Sequence, residues 1–498
     1  MSSTLAFLIF SIGVIGLFVL DRDKSVRTSK ALWLPIIWLW IAGSRPVSSW
    51  FGIGTESVGS LASTLDGSPM DAAIFEALIV AGLIALFQRR TRAITFIKSN
   101  GPVLLYFLYC LISTAWSPIH GPAFKRWIKD IGDLVMVLLI VTEVQPIAAL
   151  RRLYSRVGFI LLPFSILLIR YTDLGRVFDV DGSPTNTGVT INKNSLGLIV
   201  FIVSLGALWN VSALLLDEEA LHRTRRLVAQ GVLLFSGIWL LQMAHCATAI
   251  ACFVLGGGLM LATRLRAIGN RPGRVHALCL GIVLAGGMTL LLGGESIVTG
   301  ALGRRSDLGR SDIWKASIAA ADNPVFGTGF ESFWNTNVEK VALGLNGYWA
   351  PTIHNLVSAH NGYIEVYLDL GWVGVCLIAF ILVTGYRHAI KSFRRDPQFG
   401  SLILAYIATS IFYSITEVGF RVLTPSWIFL LLAVVSASGV AAGLIGREKP
   451  VNPIAQLRPP SRTSARSDCM SAPQRVHANS TLMGAVESPR SNFRELVR

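Results

Sequence analysis

Charge is what this sequence lacks. Only 15% of its 498 residues are Asp, Glu, Lys or Arg, against about 25% in a soluble domain. The hydrophobic share is 52%. That combination argues against a soluble enzyme, and it excludes disorder of the whole chain, which needs low hydrophobicity. Cysteine is also scarce, and six in 498 residues make no disulfide framework. Cys110, Cys252, Cys279 and Cys376 fall in or at the ends of apolar runs, where a thiol acts as a small apolar group. Cys469 lies near the C-terminus, and Cys246 sits in a turn with no obvious partner, so no disulfide is expected. No basic segment and no small-residue cleavage site precede Asp21, so a cleaved signal peptide is not expected. Zinc spacing is absent too. His354-Asn355 and His360-Asn361 repeat six residues apart rather than at i and i+4, so neither a metal nor another cofactor is expected.

Long apolar runs are what is there. Thirteen candidate membrane helices are read at 4–20, 31–43, 71–88, 102–117, 131–149, 157–169, 195–216, 227–244, 248–264, 276–292, 364–386, 401–418 and 426–446. Crossing the hydrocarbon takes about 20 residues, and a backbone in lipid must satisfy its own hydrogen bonds. The fold class is therefore an all-α integral membrane protein of about 12–13 spans. Residues 1–446 form the polytopic domain, and 447–498, rich in Pro, Ser and Arg, are a disordered basic cytoplasmic tail. The glycine run Gly256-Gly257-Gly258 is read as close helix packing.

The formal net charge is +15. Alternate loops carry Arg22, Lys24, Arg27 and Lys30, then Arg89, Arg90, Arg92 and Lys98, then Arg151, Arg152 and Arg156, and so on to Arg447 and Lys449. Positive residues collect on the cytoplasmic side, which puts the N-terminus outside and the C-terminus inside. The basicity is a topology signal, and no nucleic-acid partner is expected.

Three of the connections that then face outward stand out: 118–130, 170–194 and the long 293–363. The last holds Trp314, Phe326, Phe330, Phe333, Trp334, Tyr348 and Trp349, which a disordered spacer would not. Ser311 is expected to cap a helix that Asn323-Pro324 ends, followed by a tight Gly327-Thr328-Gly329 turn. In 118–130, Phe124, Trp127, Ile128 and Ile131 repeat at helical spacing, predicting a helix lying in the interface. Cations are disfavoured in short outer loops, yet Lys125, Arg126, Lys129, Arg170, Arg176 and Lys193 stand there, with Arg304, Arg305 and Arg310 in the long one. As a group they point to an anionic phosphate or diphosphate ligand, which guanidinium forks suit. Singly, each fits snorkelling or an ion pair as well.

The long loop ends in Ser358-Ala359-His360-Asn361-Gly362-Tyr363-Ile364-Glu365, ahead of Leu368-Asp369-Leu370-Gly371-Trp372. Imidazole is the side chain that titrates nearest operating pH, so His360 could take a proton from a sugar hydroxyl. Asn361 could orient it or bind a substrate hydroxyl. Glu365 and Asp369 are one turn apart on one helical face. Glu417 and Arg421, spaced i and i+4, are expected to pair, with a substrate contact of Arg421 as the alternative.

His360-Asn361-Gly362-Tyr363 with Glu365 and Leu368-Asp369-Leu370-Gly371-Trp372-Val373-Gly374 resembles the signature of the O-antigen ligase and Wzy-type polysaccharide polymerase superfamily. Gly309-Arg310-Ser311-Asp312-Ile313-Trp314, Asn323-Pro324 and Gly327-Thr328-Gly329-Phe330-Glu331-Ser332-Phe333-Trp334 resemble its long-loop block, and Asn192-Lys193-Asn194-Ser195-Leu196-Gly197 another. Over roughly 100–445 the chain is most similar to exopolysaccharide polymerases of the ExoQ type. Members often have about twelve spans, so the first span is read as an addition. The resemblance implies a GT-C-like, metal-independent inverting glycosyltransferase of the bacterial inner membrane, acting at its periplasmic face. Such an enzyme polymerises undecaprenyl-diphosphate-linked repeat units into exopolysaccharide or O-antigen, or as a ligase transfers glycan to lipid A core. Its partners are the lipid-linked glycan, membrane lipid, and other polysaccharide assembly and export proteins. His360 would be the general base and Arg310 the diphosphate ligand, with Lys193 and Arg126 as further candidates. Arg304, Asn361, Glu365 and Arg421 complete the expected substrate-binding set. A transporter or flippase for lipid-linked sugars is the competing reading, but no repeated halves are visible.

Overall fold

A computed structural model describes residues 3–23, 26–53, 68–178, 182–217, 220, 222–291, 310–345 and 357–446. Arg304, the stretches 293–309 and 346–356 of the expected long loop and the 447–498 tail lie outside the described residues. Contacts group residues 1–449 into one unit. Its helices of nine residues or more are α1 (Ser3–Leu20), α2 (Trp33–Ala42), α3 (Pro69–Phe87), α4 (Arg90–Lys98) and α5 (Gly101–Ser113). They continue as α6 (His120–Val141), α7 (Pro146–Tyr171), α8 (Lys193–Leu216), α9 (Arg223–Ala244) and α10 (Ala247–Ala262). The series ends with α11 (Pro272–Leu291), α12 (Arg310–Ala319), α13 (Gly362–Arg395), α14 (Pro397–Thr416) and α15 (Pro425–Ala441). The one sheet among the described residues is an antiparallel hairpin that pairs Arg176–Phe178 with Pro184–Asn186.

The apolar runs read from the sequence are largely helical, but the run at 131–149 is split by a turn at 142–145 between α6 and α7. Six helices are long and apolar enough to cross a membrane, and a seventh crossing results if one bent pair is taken as a single span. That pair is α4 and α5, which turn through 89°, so the run at 102–117 is one limb of a bent element. The short run at 157–169 belongs to the 26-residue α7, whose basic first turns hid its length. Large apolar side chains such as Phe87, Phe235 and Ile15 stay exposed, as lipid-facing positions of a multi-pass membrane protein do.

The interfacial helix expected at 118–130 is not there. Residues 120–141 form one continuous helix, α6, and Arg126, Lys129 and Asp130 are buried in the protein. Buried polar side chains persist in a bundle when they are hydrogen-bonded. Asp130 accepts from Trp427 Nε1 at 2.7 Å and Asp133 from Trp38 Nε1 at 2.7 Å, so two carboxylates tie α15 and α2 to α6. Of the 256–258 glycines, Gly256 packs on Thr409 and Gly257 on Leu208, whereas Gly258 faces open space.

Caps set the helix starts. Ser68 and Asp71 form a capping box at α3, with Pro69 in its first turn. Asn192 caps α8 through Ser195 N–H, and Asn361 caps α13 through the N–H groups of Tyr363 and Ile364. The helix expected to start at a Ser311 cap already includes Arg310 and Ser311.

The segment after α12 acts as a wedge. Helix α13 breaks at Gly371, at φ 63° and ψ −166°. Residues 324–329 fill the break. Trp372 N–H donates to Pro324 O at 2.9 Å, Val373 N–H to Val325 O at 3.2 Å, and Thr328 N–H to Leu368 O at 3.0 Å. Tyr109 Oη donates to Leu370 O at 3.0 Å. The loop thus satisfies backbone groups that the broken helix would leave bare. A Cβ at Gly371 would collide with the Val325 carbonyl. Gly371→Ala is therefore expected to cost about 2–3 kcal/mol through left-handed strain and loss of the wedge. A thermal melt of the purified protein checks it, and a melt equal to that of the parent refutes it.

Beside the main core sits a smaller one, in which Ile313 and Ala316 of α12 meet Phe333, Trp334, Ala359, Leu368 and Val422. It fixes the end of the bundle where α12, the start of α13 and the 417–424 loop converge.

Candidate functional site

Helix α14 ends at Thr416, and the extended Glu417 that follows is the hub of the site. Its Oε1 accepts from Asn194 Nδ2 at 3.0 Å and from an Arg310 guanidinium nitrogen at 3.4 Å. The same Arg310 donates to Thr416 O at 2.8 Å. The other carboxylate oxygen, Oε2, lies 3.5 Å from His360 Nδ1. The Glu417 carbonyl accepts from Gly362 N–H at 3.0 Å. One acid therefore joins α8, α12, α14 and the 358–362 segment. Its side chain is only 7% exposed, while the imidazole of His360 is 40% exposed. The ring is held on one side and open on the other. The tautomer that donates from Nδ1 to Glu417 leaves the ring's lone pair on Nε2.

His360 has φ 50°, in the left-handed region that non-glycine residues rarely occupy. Cys246 packs close by, at the start of α10. Burial first, and then the Glu417 charge, push its thiol up to about 11. It is protonated at neutral pH and no nucleophile.

The other expected site residues are placed around this group rather than in it. Arg126 is buried, with its guanidinium committed to Glu331 O and to Asn335 Oδ1 at 2.9 Å. Asn361 spends its side-chain oxygen on capping α13. Lys193 opens α8, next to Asn194. Arg304 lies outside the described residues. The pairing expected between Glu417 and Arg421 does not form, because α14 ends before either residue and no helical spacing applies. Arg421 instead reaches Glu365 Oε2 at 3.0 Å and Glu331 Oε2 at 3.5 Å, and donates to Val357 O at 3.2 Å. Burial opposes its charge, but Glu365, Glu331 and Asp369 outweigh that and drive its pKa further up. Three acids crowd one guanidinium, so burial and the Glu365 charge leave Glu331 above the usual carboxylate range despite Arg421. Glu365 also accepts from Trp334 Nε1 at 2.8 Å, and Asp369 accepts from Ser332 and Phe333 N–H at 2.9 Å. These groups hold the framework.

Sequence reasoning missed Glu417 and Asn194 as site residues. Asn194 lies in the quoted Asn192-Lys193-Asn194 block, where the cation drew attention. Glu417 gave one signal, an acid at the end of an apolar run, and its local spacing to Arg421 misdirected it.

Residues 231–381 match the O-antigen ligase family model, Wzy_C. The chain is also similar to the exopolysaccharide production protein ExoQ of Rhizobium meliloti (strain 1021), 24% identical over 332 residues, or 65% of this chain and 73% of that protein. Both agree with the resemblance read from the motifs. The family match takes in Arg310, His360 and the break at Gly371, and leaves Asn194 and Glu417 outside.

Proposed function

We propose, starting from that similarity to O-antigen ligases and ExoQ, that this membrane protein is an inverting, metal-independent glycosyltransferase. It polymerises undecaprenyl-diphosphate-linked repeat units into exopolysaccharide or O-antigen on the periplasmic face of the bacterial inner membrane. The observation that carries the reading is the Glu417 bridge between His360 and Arg310. It sets a half-exposed base beside a guanidinium suited to a diphosphate.

In this mechanism His360 Nε2 takes the proton of the acceptor hydroxyl as its oxygen attacks the anomeric carbon. The bond from that carbon to the diphosphate oxygen breaks on the opposite face, and the electron pair leaves with the diphosphate. Glu417 holds the imidazole in the right tautomer and balances the imidazolium that forms, as a third group does for other catalytic bases. Arg310 meets the charge gathering on the leaving group. The donor brings its own leaving group, so no nucleotide is needed. Lys193, at the mouth of α8, is a further cation for the same diphosphate.

The family description favours a second reading, transfer of a finished glycan to lipid A core. Deleting the gene distinguishes the two. A polymerase leaves a glycan ladder collapsed to one repeat unit, whereas a ligase leaves long glycan on the lipid carrier and none on lipid A. An unchanged ladder and unchanged lipid A glycan refute both. Restored synthesis from the parent gene, but not from a Glu417→Ala gene, is expected. Equal restoration by both removes the bridge from the mechanism.

A further inference from the structure

Left-handed backbone at a non-glycine residue costs about 1–3 kcal/mol and persists where the surroundings over-determine it. What determines it at His360 lies one residue upstream. Ala359 is fully buried, and both of its backbone polar groups are taken by side chains. Its carbonyl accepts from Trp314 Nε1 at 2.7 Å, and its N–H donates to Glu365 Oε1. Downstream, Gly362 N–H is tied to Glu417 O and Asn361 caps α13. His360 is thus the half-buried residue between two pinned ends.

The source of the upper pin matters. Trp314 lies four residues after Arg310 on α12, and that spacing puts both on one face of the helix. The helix that brings the guanidinium to Glu417 therefore also fixes the peptide ahead of the imidazole. Glu365 is held from the other side by Trp334 Nε1 and Arg421. We infer that Trp314 and Glu365 are positioning residues that clamp Ala359 from both sides, fixing the His360 ring and its separation from Arg310. This rests on the proposed base role of His360. It assigns Glu365, expected from the sequence to bind substrate, to holding the base instead.

The test uses the full-length protein in lipid nanodiscs, with lipid-linked oligosaccharide extracted from cells deleted for the gene as substrate. Trp314→Phe keeps the ring packing and removes the N–H donor. Its kcat is expected to fall roughly tenfold to a hundredfold, the scale of a small misplacement of a reacting group, with KM within about twofold of the parent. The melting temperature is expected to stay within about 2 °C of the parent, as for a change that leaves the core intact. Glu365→Gln, which keeps an acceptor for the Ala359 N–H but not the charge that holds Arg421, is expected to show the same split with a smaller fall in kcat. A Trp314→Phe loss that appears in KM, or that tracks a lower melting temperature, overturns the clamp, as does a Glu365→Gln loss that appears in KM. The melting temperature of Glu365→Gln is set apart because that change also weakens the buried Arg421 pairing. His360→Gln separates this failure from failure of the reaction itself. If His360→Gln is slow while Trp314→Phe turns over like the parent, the clamp alone is wrong. If His360→Gln turns over like the parent, the base assignment falls and the clamp with it.

Discussion

Replacing His360 with alanine is expected to slow glycan transfer by about 10²–10⁴-fold, the usual worth of a positioned general base. The protein should still fold. The imidazole is 40% exposed and projects from a segment held by backbone contacts at Ala359 and Gly362, none of which uses the ring. Nor does the change orphan Glu417, which keeps Arg310 and Asn194 as donors. KM for the lipid-linked donor should move little, because its diphosphate is assigned to Arg310. Such a variant would lose an interaction made only in the transition state, lowering kcat and kcat/KM together. Steady-state kinetics alongside a thermal melt measure both quantities. A parental kcat in a folded His360→Ala protein would remove the base from the mechanism.

Helices were the legible part of this chain. Apolar run length marked most of them, because lipid leaves a backbone few alternatives, but not α4, whose Arg90–Lys98 read as a basic connecting loop. The errors arose where distant partners override local pattern. Residues 118–130 carry Lys125, Arg126 and Lys129, which read locally as the polar face of a surface helix. Arg126 is nevertheless buried, since Asn335 and the Glu331 carbonyl meet its guanidinium from more than 200 residues away. Glu417 and Arg421 are spaced like a helical pair, yet the helix ends at Thr416 and each finds a partner in another segment. At Leu370-Gly371-Trp372 nothing local announces a break that only the 324–329 backbone can fill. Of the site, His360 and Arg310 were legible because their flanking motifs resemble a known family. Glu417 and Asn194 were not, because their role exists only once α8, α12 and α14 meet.

Arg421→Ala is expected to be the most damaging change to the fold. It removes the one guanidinium shared by Glu365 and Glu331 while their carboxylates stay buried, and the Arg421 side chain is itself only 13% exposed. Removing one partner of a buried pair typically costs about 3–5 kcal/mol, mostly from the charge left behind. The loss would spread. Glu365 would keep Trp334 and the Ala359 N–H as donors but no cation, and Val357 O would lose its donor. Arg421→Lys should fall between parent and alanine, since an ammonium keeps the charge but not the fork that spans two acids. Glu331→Gln is the informative contrast. Burial already favours the neutral form of Glu331, and Arg421 retains Glu365, so this change should cost under about 1 kcal/mol. Thermal or denaturant unfolding of the four proteins gives the order parent, Glu331→Gln, Arg421→Lys, Arg421→Ala. If Arg421→Ala melts with the parent, or Glu331→Gln proves the more damaging, the acids around position 421 do not depend on its charge.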